Sequence, residues 1–430
     1  MMGNKKLRIL LIIEQCNPEW TSVPLQGYYF YISIRNLFNT TLVTHERNKP
    51  ALEKVHSDRD IVYIYESNFT KWYYKHAESL SKIKGKIIWP LYNTLTYPIY
   101  AEFNHLVYKK FKTSVLKRDY DIVHVVTPMM PRYPAKIIKA CKNIPFIIGP
   151  VNGGVPYPKG FQEIARKEFA GFNFLRLIGR WLIPGYRETY EEADYILAGS
   201  TYTLNLIKSL FDVRDEHIEL FYENGINDAF FSKDPKVDTE ESIQINLLFV
   251  GRLVPYKGAD ILIDSIGQLR PQIQENISLI IVGNGSEKES LQQQVQNLDL
   301  KEKIHFPGWV NQQEILEYYH KSDIFCFPSV REFGGAVVIE AMANGLPCIV
   351  VDNGGIGEYV TEETGFKINP ISREFVVQEL RKRIEQLVED RALHAAMSYE
   401  AVERAKEFTW DSKAEKISDI YLKLLSNSSE

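Results

Sequence analysis

Cysteine is scarce in this chain. Four are spread over 430 residues, at Cys16, Cys141, Cys326 and Cys348, and no two stand close enough for a CxxC pair. That spacing excludes a disulfide framework and fits a reduced, cytoplasmic protein. Long apolar runs are missing as well. The N-terminal MMGNKKLRILLIIEQ stops at Glu14 without a small-residue cleavage site, so it reads as a first buried strand rather than a signal or a membrane span. There is no excess of basic charge: 51 Lys and Arg face 55 Asp and Glu, a net −4, which disfavours a nucleic-acid partner. No His/Cys/Asp cluster has metal-ligand spacing, and no G-x-S-x-G elbow supports a hydrolase triad. Two D-x-D triplets, Asp58–Asp60 and Asp119–Asp121, precede strands instead of following them and read as solvated turns, so no metal is expected.

What the chain does have is alternation. Its length suggests two domains. Candidate buried strands are LRILLII (7–13), DIVYIY (60–65), KIIW (86–89), DIVHVV (121–126), PFIIG (145–149), DYILAGS (194–200) and IELFY (218–222). They lack polar alternation, as do strands covered on both faces. The polar stretch KDPKVDTEESIQ (233–244) reads as a linker. Beyond it, INLLFV (245–250), ISLIIVG (277–283), KIHF (303–306), DIFCFPS (323–329) and PCIVV (347–351) read as strands, with helical patterns at 258–269, 286–298, 312–320, 334–344, 372–388 and 391–406. This predicts an α/β protein of two tandem doubly wound Rossmann-like domains, 1–232 and 245–410, facing across a cleft, with ligands at the carboxyl ends of strands.

Three glycine-bearing stretches of the second half can carry chemistry. In VGRLVPYKGAD (250–260), Arg252 and Lys257 follow a strand and Gly258 opens a helix. Two cations beside helix-opening N–H groups can cradle a diphosphate, or they can be two solvated basic residues. In IVGNGSEKESL (281–291), Gly283 belongs to a phosphate-loop shape that is equally the shape of a tight turn. In REFGGAVVIEAMANGLP (331–347), Glu332 should project from the carboxyl edge of the sheet, and Gly334 and Gly335 leave backbone N–H groups open at a helix start. Glu340, inside that helix, can accept from two vicinal hydroxyls such as those of a ribose, or it can be an exposed helical glutamate.

Taken in order, GRLVPYKG, GNGS, FPGW, EFGGAVVIEAMANGLP, DNGGIGEYV and TGFKINP resemble the retaining nucleotide-sugar glycosyltransferases of family 4 (group 1), which have the GT-B fold. The resemblance covers residues 245–370 closely and the N-terminal half more loosely. It implies that Arg252 and Lys257 hold the donor diphosphate, that Glu332, first of an E-x7-E pair, faces the transferred sugar, and that Glu340 binds the ribose. Gly283 and the backbone of Gly334, Gly335, Ala336 and Val337 would complete the donor site. The commoner family order is E-G-F-G where this chain has E-F-G-G, which puts sugar selectivity in question. FTWDSKAEKISDIYLKLL (408–425) resembles the family's terminal helix, so 411–430 is expected to return to the first domain.

The N-terminal half would supply the acceptor side. Gly27 matches the family's loop glycine at a helix start near the phosphates, or is a helix-opening glycine of no chemical interest. Glu19, Trp20, Asn152 and Gly153 are acceptor-side candidates on loops that follow strands. His124 stands at the end of its strand, where relatives carry H-x-H; the second histidine is replaced here by Val126. Either His124 is catalytic, or Thr127 serves, or no histidine is used, and a lone strand histidine also reads as a satisfied core residue.

Residues 157–190 interleave aromatic and basic side chains, which suits a membrane surface or a lipid-diphosphate acceptor, or a helical insertion packing on its own domain. The expected function is transfer of a sugar from a nucleotide diphosphate sugar, UDP or GDP among the carriers, to a hydroxyl of a glycan or lipid-linked acceptor, without metal or other cofactor. Its expected setting is cell-surface polysaccharide or glycolipid synthesis in the cytoplasm, at the inner face of the membrane. The alternatives are a nucleotide-sugar epimerase, a sugar phosphorylase and a non-catalytic nucleotide- or lipid-binding scaffold.

Overall fold

The first strand shows why the apolar runs lack alternation. Ile9, Leu11 and Ile13 join one buried cluster, while Leu10 and Ile12 join another on the opposite face. Both faces of the sheet are covered, so the buried positions Ile9 to Ile13 are all apolar. The structure, a computed structural model, describes residues 6–56, 60–83, 86–126, 133–231 and 244–427. Apart from Gln244, the expected linker 233–244 lies outside the described residues, as do Asp58 and Thr127.

The chain divides into two compact units. The first comprises Met1–Gly154, Phe169–Glu223 and Trp410–Glu430; the second comprises Val155–Glu168 and Asn224–Thr409. The segment 155–168 therefore groups with the second unit, although its sequence neighbours on both sides belong to the first.

In the first unit, strands β1 (Arg8–Ile12), β2 (Asn39–His45), β3 (Ile61–Ile64), β4 (Ile122–Val125), β5 (Phe146–Val151), β6 (Tyr195–Ala198) and β7 (Ile218–Leu220) form one sheet. Their order is 3-2-1-4-5-6-7, and all pairs are parallel. Two strand readings need correction. KIIW (86–89) is not part of this sheet: among the described residues Lys86–Ile87 pairs only with Lys82–Ile83, in a short antiparallel ribbon, and a helix begins at Trp89 with Pro90 in its first turn. Strand β2, NTTLVTH, was not expected, because its threonines hide the apolar signal although they are β-branched and suit a strand. Asp121, from the second D-x-D triplet, clasps the Arg8 guanidinium and backbone N–H at the start of β1, at 2.8 Å in each case.

In the second unit, β8 (Ile245–Val250), β9 (Ile277–Val282), β10 (Ile304–Gly308), β11 (Ile324–Phe327), β12 (Cys348–Val351) and β13 (Gly365–Ile368) form an all-parallel sheet in the order 10-9-8-11-12-13. The order reverses between β8 and β11. Such a reversal opens a crevice at the carboxyl edge, because the two following connections leave on opposite faces.

Gly283, just after β9, has φ +144°, and a Cβ there would stand 1.9 Å from the Gly251 carbonyl oxygen. The loops after β8 and β9 touch through bare backbone at this point. Gly283→Ala is therefore expected to lower unfolding stability by about 2 kcal/mol or more, through strain and displaced backbone. A denaturant titration with an unchanged midpoint would contradict this packing.

Candidate functional site

The loops that leave β8 and β11 hold the charged groups of the second unit's carboxyl edge. Lys257 is only 9% exposed, although a lysine is seldom buried without a partner. It has one: its ammonium is ion-paired and hydrogen-bonded to Glu332 Oε2. It also lies 4.9 Å from the centre of the Phe327 ring. The Ser329 hydroxyl donates to the same Glu332 oxygen at 3.3 Å. Gly258, with φ +74°, lets the chain turn into the helix Ala259–Gly267 where a Cβ would strike the Pro328 carbonyl at 2.4 Å. Val330 donates its N–H to the Tyr256 carbonyl at 2.9 Å, tying the two loops together. Arg252 is exposed and donates to the Tyr256 hydroxyl at 2.6 Å. Burial pushes that hydroxyl up to about 12, so Tyr256 stays neutral.

Glu332 is held from behind by the DNGG turn. Its N–H donates to the Asn353 carbonyl at 3.3 Å, and Asn353 Nδ2 donates to the Val330 carbonyl at 2.7 Å. Arg331, which drew no attention in the sequence, donates from Nε to the Val155 carbonyl at 2.7 Å. Its guanidinium lies 4.8 Å from the Tyr157 ring and 4.9 Å from the Phe333 ring, a cation–π arrangement that anchors the loop on segment 155–168.

The helix expected at 334–344 runs from Ala336 to Ala343, with Gly335 at its N-cap in the left-handed region, φ +67°. A Cβ on Gly335 would meet Ile356 Cγ2 at 2.4 Å and Glu332 Cγ at 3.0 Å. Glycine is thus required there, and the helix start adjoins Glu332. Gly334 is buried, while Ala336 and Val337 are half-buried in the first turn, where backbone N–H groups and the helix dipole favour an anion. Glu340 is not the exposed helical glutamate of the plainer alternative. It is half-buried, and its Oε2 accepts from the Tyr319 hydroxyl at 2.9 Å. Burial pushes its carboxyl up to about 7, with the Tyr319 bond opposing. Tyr319 was another residue missed in the sequence; only its place in a helical pattern, one position of many, hinted at burial. Edge, cations, helix start and second carboxylate together can hold an anionic, hydroxyl-rich ligand.

The first unit treats its candidates differently. His124 lies on β4 and is fully buried. Its Nε2 is 2.8 Å from the Gly149 carbonyl, which can only accept, so Nε2 carries the proton and Nδ1 accepts from the Tyr421 hydroxyl at 2.7 Å. Burial pushes its pKa down to about 4. Both nitrogens are committed inside the core, so His124 is withdrawn from the catalytic set. Gly27 does not open its helix either: the helix spans Val23–Leu37, and a Cβ on Gly27 would strike the Gln15 carbonyl at 2.5 Å. It is a close-packing glycine within the helix. Asn152 is buried, and its Oδ1 accepts from the Ser200 and Thr203 hydroxyls, each at 3.0 Å. Gly153 donates its N–H to Thr203 Oγ1 at 3.1 Å. Glu19 pairs with Lys54 at 2.7 Å, and Trp20 is 45% exposed beside it.

The raised pKa of Glu340 has a stability consequence. The folded state holds this proton up to about pH 7, whereas an unfolded glutamate releases it near 4.5. Stability is therefore lost as pH rises from about 4.5 through 7, by about 3 kcal/mol from this group. Glu340→Gln is expected to unfold at a higher temperature than wild type at pH 8 and at a similar one at pH 5. The same difference at both pH values would contradict the assignment. Glu14, likewise raised to about 7, leaves a common slope in both proteins.

Residues 231–404 match the family described as "Glycosyl transferases group 1". An uncharacterized glycosyltransferase of Methanocaldococcus jannaschii is 32% identical over 189 residues, 41% of this chain and 47% of that protein. The D-inositol 3-phosphate glycosyltransferase of Streptomyces avermitilis is 30% identical over 183 residues, 40% of this chain and 39% of that protein. The matched region thus spans less than half the length of either relative. Among solved structures, that of Anabaena HepE in complex with UDP and glucose has a TM-score of 0.61 at 19% identity, covering 97% of this chain and 100% of that one. Sucrose-phosphate synthase from Thermosynechococcus elongatus has a TM-score of 0.64 at 18% identity, covering 98% and 100%. The chain is a two-domain α/β protein with the GT-B fold of these solved structures, and its residues 231–404 are similar to the group 1 glycosyl transferases.

Proposed function

We propose that this protein transfers a glycosyl group from a nucleotide diphosphate sugar to a hydroxyl of a glycan or lipid-linked acceptor. The observation that carries the reading is the meeting of Lys257, Glu332 and the N-terminus of helix Ala336–Ala343 at the reversal between β8 and β11. In this reading Arg252, Lys257 and the backbone N–H groups of Ala336 and Val337 receive the diphosphate. Glu332 accepts from hydroxyls of the transferred sugar, and Glu340 accepts from those of the ribose. UDP beside glucose in the Anabaena relative, and the glycosyltransferase activities named for the sequence relatives, support it by likeness.

The bond between the anomeric carbon and the diphosphate oxygen breaks, and the leaving diphosphate gains negative charge. Two cations and a helix start aimed at that charge stabilise the transition state directly, a task that a divalent ion performs elsewhere. The acceptor oxygen bonds to the anomeric carbon, and its proton passes to the departing phosphate oxygen. We read the outcome as retention of configuration, with no metal required. The setting we propose is synthesis of a cell-surface polysaccharide or glycolipid.

The test is release of nucleoside diphosphate from UDP- and GDP-sugars, with and without sugar acceptors, in excess EDTA, with the product's anomeric configuration read by NMR. Acceptor-dependent release at full rate in EDTA is expected, with Lys257→Ala and Arg252→Ala each slowing it about a hundred- to a thousand-fold. Release that ignores both substitutions would overturn the reading. So would conversion of the donor alone into its epimer.

A further inference from the structure

The first unit leaves apolar side chains uncovered on helices that carry none of the residues assigned above. In the helix Phe174–Leu182, Trp181 is 87% exposed and Leu182 73%. Phe174 and Ile178 are exposed with them. Their spacing, i, i+4, i+7 and i+8, puts all four on one stripe, the side that a surface helix normally buries. A soluble domain gains nothing by turning such a stripe to water.

A second helix does the same. In Asn68–Leu80, Phe69 is 68% exposed and Trp72 is exposed beside it, while Thr70 and Ala77 face inward. The helix Trp89–Leu95, carrying the exposed Trp89, packs against both of the other two. The helices that carry these apolar side chains come from two separate parts of the sequence and are linked through this third helix.

Charge follows the same segments. Residues 67–82 and 169–187 carry six basic residues and one acidic one, a local charge of +5 in a chain whose total is −4. The rest of the chain is therefore at −9, although Lys71 pairs with Glu46 at 3.0 Å and Arg187 pairs with Glu191. Glu78, the lone acid, is already paired with Lys82. Exposed Trp and Leu beside Lys and Arg match the two layers of an anionic bilayer surface: acyl chains below, phosphates above. No helix among the described residues is long and apolar enough to cross a membrane, so the contact is interfacial.

We propose that helices Asn68–Leu80, Trp89–Leu95 and Phe174–Leu182 form one docking face for an anionic lipid bilayer. It narrows the aromatic-basic stretch 157–190 to its second half and adds a partner surface a hundred residues earlier, since 155–168 groups with the other unit. The inference does not rest on glycosyl transfer, and its test needs no substrate.

The full chain is co-sedimented with phosphatidylcholine vesicles, with and without phosphatidylglycerol, at low and high salt. The paired variant Trp181→Ser with Leu182→Ser is run beside it, and circular dichroism with thermal unfolding confirms that both proteins are folded. Exposed side chains leave the melting temperature unchanged. Wild type is expected to bind only the vesicles containing phosphatidylglycerol, with a blue shift of tryptophan emission and weakening at high salt. The paired substitution is expected to weaken partitioning at least ten-fold. Absence of binding, equal binding to neutral vesicles, or undiminished binding by the variant would overturn the proposal. So would a concentration-dependent dimer in sedimentation velocity that the variant dissolves, since the face would then belong to a second copy of the chain.

Discussion

A lysine and a glutamate held almost out of water, Lys257 and Glu332, fix the geometry of the second unit's carboxyl edge. Burying either charge alone would cost several kcal/mol, so each needs the other in place. The pair joins the two strands between which the sheet order reverses, where a doubly wound sheet opens a crevice. Charge that is already desolvated and oriented acts more strongly on an incoming ligand than charge dissolved in water, because little reorganisation remains to be done.

The surrounding backbone is built to hold that pair. The Gly258 turn lies against the Pro328 carbonyl, and Gly354 lies so close to Glu332 that a Cβ would stand 1.8 Å from its carbonyl oxygen. These approaches leave no room for side chains and bring the loops after β8, β11 and β12 into direct contact. Arg331 extends the support to segment 155–168 by stacking between two rings. The loops at this edge are thereby held in place by one another, as electrostatic preorganisation would demand.

Much of the second unit was readable from its residues alone. Its strands are short, apolar and separated by regular helices, and its loop glycines stand in motifs beside charges, although the contacts that require them, such as Gly258 against Pro328, are distant in sequence. The first unit was harder to read. His124 could be read as a catalytic group or as a satisfied core residue, and its partner Tyr421 lies 297 residues away on the terminal helix. Gly27 looked like a helix opener because nothing in its neighbourhood announces the Gln15 carbonyl pressed against it. Tyr319 and Arg331 escaped notice for the same reason: a contact with Glu340 or with Tyr157 is a product of folding, with no local motif. Glycines and charges close to one another in sequence carry their meaning with them; buried partners far apart do not.

The most direct test of this account separates the two halves of the central pair. Nucleoside diphosphate binding would be measured by calorimetry on wild type, Lys257→Ala and Glu332→Gln. If the lysine serves the diphosphate and the glutamate serves the sugar, Lys257→Ala weakens diphosphate binding strongly. Glu332→Gln leaves the lysine's charge without its competitor, so binding of the bare diphosphate holds or tightens. Equal losses in both variants, or no loss in either, would contradict the division of labour and the donor site built on it.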